Sequence, residues 1–308
     1  MANKGNDRSN AKISDDDIMK ILSKKGKVKV FSEDYKAFST GKSDIQANQE
    51  RLFLCICNNE RKEVIPSALN YTGGKYKLLS QILPLFPKDA DQVVDLFCGG
   101  CNVGINICAK KYIYNDNCEP LINLYSVMQT LESACFIEKI ETVIKRYGLS
   151  DVKLYGYDFY NCNSSDGLGA YNRDKYMKLR ADFNALKERN ADYYVMLYVL
   201  IVYAFNNQIR FNRNGEFNLP PGKRDFNQKM YCKVENFIEV IQNQNATFMH
   251  RDFRKIEIDK LTGKDFVYAD PPYLITCAAY NEQGGWSEDD EELSLIHISE
   301  PTRLRCIS

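Results

Sequence analysis

A short apolar run that stops on glycines constrains this chain more than any other feature. Gln92-Val93-Val94-Asp95-Leu96-Phe97 reads as a strand and breaks at Cys98-Gly99-Gly100-Cys101-Asn102-Val103-Gly104. A helix is expected from that turn to about Lys111, after which Lys111-Tyr112-Ile113-Tyr114-Asn115-Asp116 reads as a second strand with an acid at its tip. Strand, glycine turn, helix, strand and acid make a βαβ nucleotide-binding unit, which commits the domain to an α/β fold around a parallel sheet. Glycine lets the backbone pass close beneath a ribose or adenosyl group, and Asp116 is then placed to accept hydrogen bonds from ribose hydroxyls. The turn is not a clean G-x-G-x-x-G, and an NAD enzyme carries a similar acid about twenty residues on. Taken alone, the unit leaves an oxidoreductase open, and it leaves Asp116 either a ribose ligand or a plain surface acid at a strand end.

The second constraint is Asp270-Pro271-Pro272-Tyr273, at the end of the apolar run Phe266-Val267-Tyr268-Ala269. Proline has no N–H, fixes φ and holds the preceding residue extended. The Asp270 carboxylate and the Pro271 carbonyl can therefore face the same way, as two acceptors beside the ring of Tyr273. Two acceptors and a flat ring suit a planar substrate with an exocyclic amine, and adenine is one. The plainer reading is a strand end stiffened by prolines. An oxidoreductase would leave the motif without a role.

Around these two motifs the chain divides by composition. Tyr71-Thr72-Gly73-Gly74-Lys75 is a further glycine turn, ahead of an amphipathic helix from Lys77 to about Leu83. Thr247 to Phe253 and Asp265 to Ala269 read as two more strands of the same sheet. Between Glu132 and Asn245 the sequence is helical, aromatic and locally basic. From Asn172 to Lys233 it carries twelve Lys or Arg against six Asp or Glu, a net charge of +6. Since the whole chain is neutral, with 41 residues of each sign, any nucleic-acid surface has to be a local concentration of this kind. Asn206 to Asn218 reads as a hairpin with an Asn214-Gly215 turn. Arg, Asn and Gln read base edges, and Lys or Arg meets phosphates. Charge by charge, a solvated face is the alternative.

The first 66 residues form an N-terminal extension with no catalytic pattern. Ser14 to Asp17 caps a short helix, Ile18 to Lys24, and Lys27 to Phe31 and Arg51 to Cys57 read as strands. The start of the chain is polar and mixed, with no export signal. Its longest apolar run, Tyr193 to Phe205, falls short of the roughly 18 residues a bilayer span needs. We read it as a core helix, with no membrane association and a cytoplasmic location. Eleven cysteines without an export signal imply reduced thiols. Cys98-x-x-Cys101 has zinc-like spacing, but it interrupts the glycine turn and its companion Cys55-x-Cys57 is distant, so no metal is expected.

The order of these blocks resembles the Dam-like family (D12 class, alpha group) of S-adenosylmethionine-dependent DNA N6-adenine methyltransferases, over about Asn70 to Glu292. The resemblance implies a Rossmann-like methyltransferase sheet at residues 67–131 and 246–292, split by a target-recognition domain at 132–245. It implies S-adenosylmethionine as cofactor, with Tyr71, Gly73, Gly74 and Lys75 on the N-terminal cofactor motif and Asp95, Phe97 and Gly99 on the glycine motif. Asp116 falls on the ribose acid, and Asp252-Phe253 on the motif that lies against the cofactor's adenine. Asp270, Pro271, Pro272 and Tyr273 fall on the catalytic motif, with Asp270 also meeting the cofactor. Arg210 to Pro220 matches the target-reading hairpin, so Arg210, Asn212, Arg213, Asn218 and Pro220 are the implied DNA contacts. Double-stranded DNA is the implied substrate, and a restriction endonuclease of the same system a possible companion. RNA or protein amino-methyltransferases use similar Pro-Pro-aromatic motifs, and a DNA-binding fragment without activity is the reading from another class.

The chain departs from the family in three places. Cys101 stands where a second glycine is usual, so the backbone there has to accommodate a β-carbon. Asn70 and Gln208 stand where GATC-recognising members carry other residues, so the resemblance implies the reaction rather than the recognised sequence. Leu293 to Arg303 looks like the translation of a sequencing-library adapter. On that reading residues 293–308 are an artefact, His297 is no catalytic group, and His250 is the one native histidine. The sheet is then incomplete at its C-terminal end, with an unpaired edge on the catalytic strand, and this chain is expected to be inactive or unstable although the gene encodes an enzyme.

Overall fold

Val93 and Val94 are buried in the middle of the first sheet strand, as expected where both faces of a parallel sheet are covered. The computed structural model describes residues 14–23, 26–35, 48–57, 64–71 and 73–271. Pro272, Tyr273, Thr72 and the adapter-like tail lie outside these residues. Two compact units divide the chain, residues 1–63 and 64–308.

In the first unit, helix α1 (Asp15–Ser23) starts where the sequence caps it. The Ser14 hydroxyl accepts from the Asp17 N–H at 3.1 Å and donates to the Asp17 carboxylate at 2.6 Å, satisfying a backbone donor that the helix itself leaves open. Strands β1 (Gly26–Tyr35) and β2 (Asn48–Cys57) pair antiparallel from Gly26 opposite Cys57 to Tyr35 opposite Asn48. Both contain the strands read from the sequence.

The second unit is built on a sheet of four parallel strands: β3 (Ala90–Asp95), β4 (Ala109–Asp116), β5 (Ala246–His250) and β6 (Phe266–Tyr268). Their order is β5-β4-β3-β6. The chain thus winds outward from β3 to β5 and returns to the other side of β3 with β6. Asp95 pairs with Tyr114 on one side and Tyr268 on the other. The reversal of direction between β3 and β6 is the topological switch point, where open α/β sheets bind ligands beyond the strand tips.

Helix α2 (Leu79–Ile82) is a single turn flanked by 3-10 turns, close to the expected Lys77–Leu83 helix. Beyond β4 come α3 (Glu119–Thr130), α4 (Ser133–Tyr147), α5 (Val152–Tyr155), α6 (Gly169–Asn184), α7 (Ala191–Tyr203) and α8 (Gln228–Asn243). Every residue of α7 from Tyr193 to Tyr203 is buried, and the helix packs against α3, α4 and α6. The apolar run is a core helix because it is hydrophobic all round and enclosed by other helices. No helix among the described residues is long and apolar enough to cross a membrane.

One expectation fails. No helix runs from the glycine turn to Lys111: a 3-10 turn at Gly104–Asn106 is all that forms, and β4 begins at Ala109. Side chains compete for the backbone here. Asn106 Nδ2 donates to the Asn102 and Ile65 carbonyls, both at 2.8 Å, and its Oδ1 accepts from Ile65 N. Asn102 Oδ1 accepts from Ser67 N at 3.1 Å. The crossover is thereby stitched to the 64–67 segment and leaves helical geometry at Ile107, with ψ 144°.

Candidate active site

Four strand tips each deliver an aspartate to one end of the sheet. Asp95 ends β3, Asp116 ends β4, Asp252 follows β5 and Asp270 follows β6. Asn115, which the sequence reading passed over, holds three of the tips together. Its Nδ2 donates to Leu96 O at 3.0 Å and Arg251 O at 2.9 Å, and its Oδ1 accepts from Arg251 N. A polar residue beside an acid at the end of an apolar run was the one available signal for it. The fourth tip is tied by the backbone, through Leu96 N–H to Tyr268 O at 2.9 Å.

The glycine turn is fixed from below and above. Asp116 Oδ2 accepts from Gly99 N at 2.8 Å and its Oδ1 from Cys118 N at 2.9 Å, so the acid of β4 clamps the turn leaving β3. Tyr125 donates its hydroxyl to Gly99 O at 2.9 Å. Tyr71 lies over the turn: a β-carbon at Gly99, where φ is +44°, would sit 2.9 Å from its ring. Cys101 has φ +55°, a left-handed conformation that costs a side-chain-bearing residue about 1–2 kcal/mol. The β-carbon is tolerated because the residue is buried in the core and its N–H closes the turn onto Cys98 O at 2.6 Å. Among the described residues no group of His, Cys, Asp or Glu could hold a metal ion.

Asp95 is the most perturbed acid of the four. It is 1% exposed; its Oδ2 accepts from Gly104 N at 3.1 Å, and its Oδ1 has no hydrogen-bond partner among the described residues. Burial, opposed by the Gly104 bond and helped by the nearby charges of Asp116 and Asp270, pushes its carboxyl up to about 8. Burial also raises Asp116, against the N–H bonds it accepts. A β-carbon on Gly104 would stand 2.7 Å from Asp95 Oδ2 and 2.6 Å from the Tyr114 ring. Gly104→Ala is therefore expected to destabilise the fold by about 1–3 kcal/mol, read as a lowered midpoint in denaturant at unchanged slope.

Across the cleft, Lys75 Nζ lies 2.6 Å from Asp270 Oδ2, with the two side chains 21% and 24% exposed. The same ammonium reaches Gly73 O at 3.5 Å. Tyr71, Gly73, Gly74 and Lys75 are thus brought to the tip of β6. Asp252 caps a 3-10 turn by accepting from Arg254 N at 2.9 Å. Phe253 packs on Phe97 with ring centroids 5.2 Å apart, over Val94, Leu96, Val267 and Ala269. Pro271 is half-buried beside Asp270.

The hairpin sits apart from the strand tips, on the helical insert. Phe211 bridges Phe217, and Asn212 N donates to Glu216 O at 2.8 Å around a three-residue loop that closes on Gly215. Asn212 shapes this loop itself: its Oδ1 accepts from Asn214 N and Glu216 N, and its Nδ2 donates to the Glu216 carboxylate. Arg210 donates to Asn218 Oδ1 at 2.7 Å. Arg213 is exposed at the loop, and Pro220 is exposed beyond it. Asn184 on α6, also missed in the sequence, anchors the hairpin by bonding both Phe217 N and Phe217 O.

A parallel sheet in this order, with a glycine turn, a tethered acid and an Asp-Pro step at adjoining tips, defines a Rossmann-like methyltransferase. Residues 71–305 match the family described as D12 class N6 adenine-specific DNA methyltransferase, and the chain belongs to that family. Modification methylase StsI of Streptococcus sanguinis is 38% identical over 242 residues, covering 77% of this chain and 33% of that protein. Type II methyltransferase M.FokI of Planomicrobium okeanokoites is 37% identical over 245 residues, covering 79% and 34%. A DNA adenine methylase of Serratia marcescens is 28% identical over 235 residues, covering 75% and 76%. The chain spans about a third of the length of the first two of these relatives.

Proposed function

We propose that this cleft transfers a methyl group from S-adenosylmethionine to N6 of an adenine flipped out of double-stranded DNA. The observation that carries the reading is the adjacency of β3 and β6, with Lys75 2.6 Å from Asp270 across their tips. The glycine turn and the Asp270-Pro271 step therefore share one cleft. The names of the relatives, modification methylases and a DNA adenine methylase, support the same chemistry.

The residues present fit the cofactor. Asp95 Oδ1 is a buried oxygen without a partner among the described residues, able to accept from an N–H or O–H donor, and Gly99, having no β-carbon, lets the Tyr71 ring lie directly against the turn. Tyr71, Gly73, Gly74, Lys75, Asp95, Gly99 and Asp116 would hold it, with Asp252-Phe253 and Phe97 against its adenine. When bound, it supplies a sulfonium methyl that is already electrophilic. The protein has to align the amine with that methyl and stabilise the positive charge that grows on nitrogen. Asp270 and the Pro271 carbonyl accept the two N6 hydrogens, which localises a lone pair otherwise conjugated into the ring. Tyr273 stacks on the base, which has to leave the duplex to reach them. Arg210, Asn212, Arg213, Asn218 and Pro220 form the surface that meets DNA, and an endonuclease of the same system is the companion that a modification methylase implies.

The test is incorporation of labelled methyl into DNA and into RNA by the protein. Label on DNA adenine N6 is the expected result; label on RNA alone overturns the reading.

A further inference from the structure

Beyond the strand tips, the insert holds a second polar cavity of about 70 Å³, roughly twice the share of liquid volume that one water takes. Its titratable lining is Arg224, Lys229, Lys233 and Asp225. Three cations thus face one another across a small space with a single carboxylate among them. One oxygen of that carboxylate is engaged elsewhere, Asp225 Oδ2 accepting from Val152 N at 2.7 Å and Ser150 Oγ at 3.5 Å, while its Oδ1 has no partner among the described residues. Lys233 is half-buried, and its ammonium donates to a neutral acceptor, Asn70 Oδ1, at 2.6 Å. Burial and the charges of Lys229 and Arg224 together lower its pKa. The N-cap Asn227, whose Oδ1 accepts from Met230 N at 3.2 Å, and the first-turn residues Lys229 and Met230 of the 16-residue α8 border the same space, which lies at the positive end of the helix dipole. Uncompensated like charges at a helix start are what an anion would complete.

Resting on the reading above, we propose that this cavity seats one backbone phosphate of the DNA, gripped by Arg224, Lys229 and Lys233. Arg224 and Lys229 are exposed and reachable from a duplex. Asn70 makes the seat more than a handhold, because it precedes Tyr71, whose ring covers the cofactor turn. Its Nδ2 donates to Asn207 Oδ1 at 3.2 Å, and Asn207 Nδ2 in turn donates to Ile201 O and Val202 O at the end of α7. A seated phosphate therefore registers DNA against the catalytic domain and the insert at once. A phosphate carries no sequence information, so the contribution is positional.

Duplex binding by the 308-residue chain, followed across a salt series on two unrelated sequences, tests this. For the variant combining Arg224→Gln, Lys229→Gln and Lys233→Met, the slope of log K against log salt falls by about 0.9, one phosphate's worth. Binding weakens roughly tenfold, equally on both sequences. The exposed Lys229→Gln alone shifts affinity in the same direction, and an unchanged melt for that variant shows that folding is intact. An unchanged slope with wild-type binding present overturns the seat alone. So does a loss confined to one sequence, which would mean base reading. A melt raised by inorganic phosphate in the wild type only, with duplex binding equal in the variant, overturns it in favour of a free anion. Absence of any duplex binding by the wild type overturns the seat and the proposed function together.

Discussion

Asp270→Ala is expected to lower methyl transfer by about 10²–10³ or more in kcat, with duplex binding nearly unchanged. The expectation follows from where the residue sits. It leaves β6 two residues beyond Tyr268, faces the cleft at 24% exposure, and meets Lys75 at 2.6 Å. On the proposed reading, alanine removes the acceptor that draws the N6 lone pair out of conjugation. It also leaves the half-buried Lys75 ammonium without this carboxylate, so weaker cofactor binding should accompany the loss in kcat. The surfaces proposed to meet DNA, the hairpin and the start of α8, are built without this carboxylate. Asp270→Asn separates shape from charge: it keeps one acceptor oxygen in place and is expected to fall between wild type and alanine. Single-turnover methyl transfer at saturating DNA measures all three. Wild-type rates in the alanine variant would remove Asp270 from the chemistry.

The parts of this cleft that were legible in the sequence are those carried by local pattern. Apolar runs ending on the glycine turn for β3 and on acids for β4 and β6 located these strands, because a covered parallel strand is largely apolar and its tip is where polarity or a turn resumes. The proline step marked a strand end because it cannot continue a ladder. The Asn214-Gly215 turn located the hairpin, which the structure closes by pairing Phe211 with Phe217. The crossover was misread, since a βαβ unit calls for a helix after the glycine turn, although Val103, Ile105 and Ile107 alternate instead of following a helical period. They are buried, but Asn102 and Asn106 spend their amides on the backbone of residues 64–67 instead of facing solvent. Contacts between residues far apart in the chain left no local trace at all. Asn115 to Arg251, Asn184 to Phe217 and Lys233 to Asn70 are each specified by the fold that brings them together.

Stability should fall as pH rises from about 4 to about 8, and Asp95 should account for most of the upper half of that fall. Its carboxyl titrates near its ordinary 3.8 when the chain is unfolded and at about 8 when folded. Below pH 4 both states hold the proton and the group is neutral in its effect. Between the two values the folded state keeps a proton that the unfolded state has lost, so each pH unit removes up to about 1.4 kcal/mol of stability. The full window is on the order of 6 kcal/mol at most. The physical cause is a carboxylate at 1% exposure whose Oδ1 has no donor, facing the charges of Asp116 and Asp270 with only the Gly104 N–H to offset them. Asp225, pushed up to about 6 by burial, adds a fall of the same sign confined to the lower half. Asp95→Asn is nearly isosteric and can keep the Gly104 bond, so it should flatten the decline between pH 6 and 8 while leaving the Asp225 part in place. Denaturant midpoints across this range, for both proteins, measure the difference. A wild-type protein equally stable at pH 5 and pH 8 would mean that Asp95 is ionised where it lies, with a donor supplied from outside the described residues.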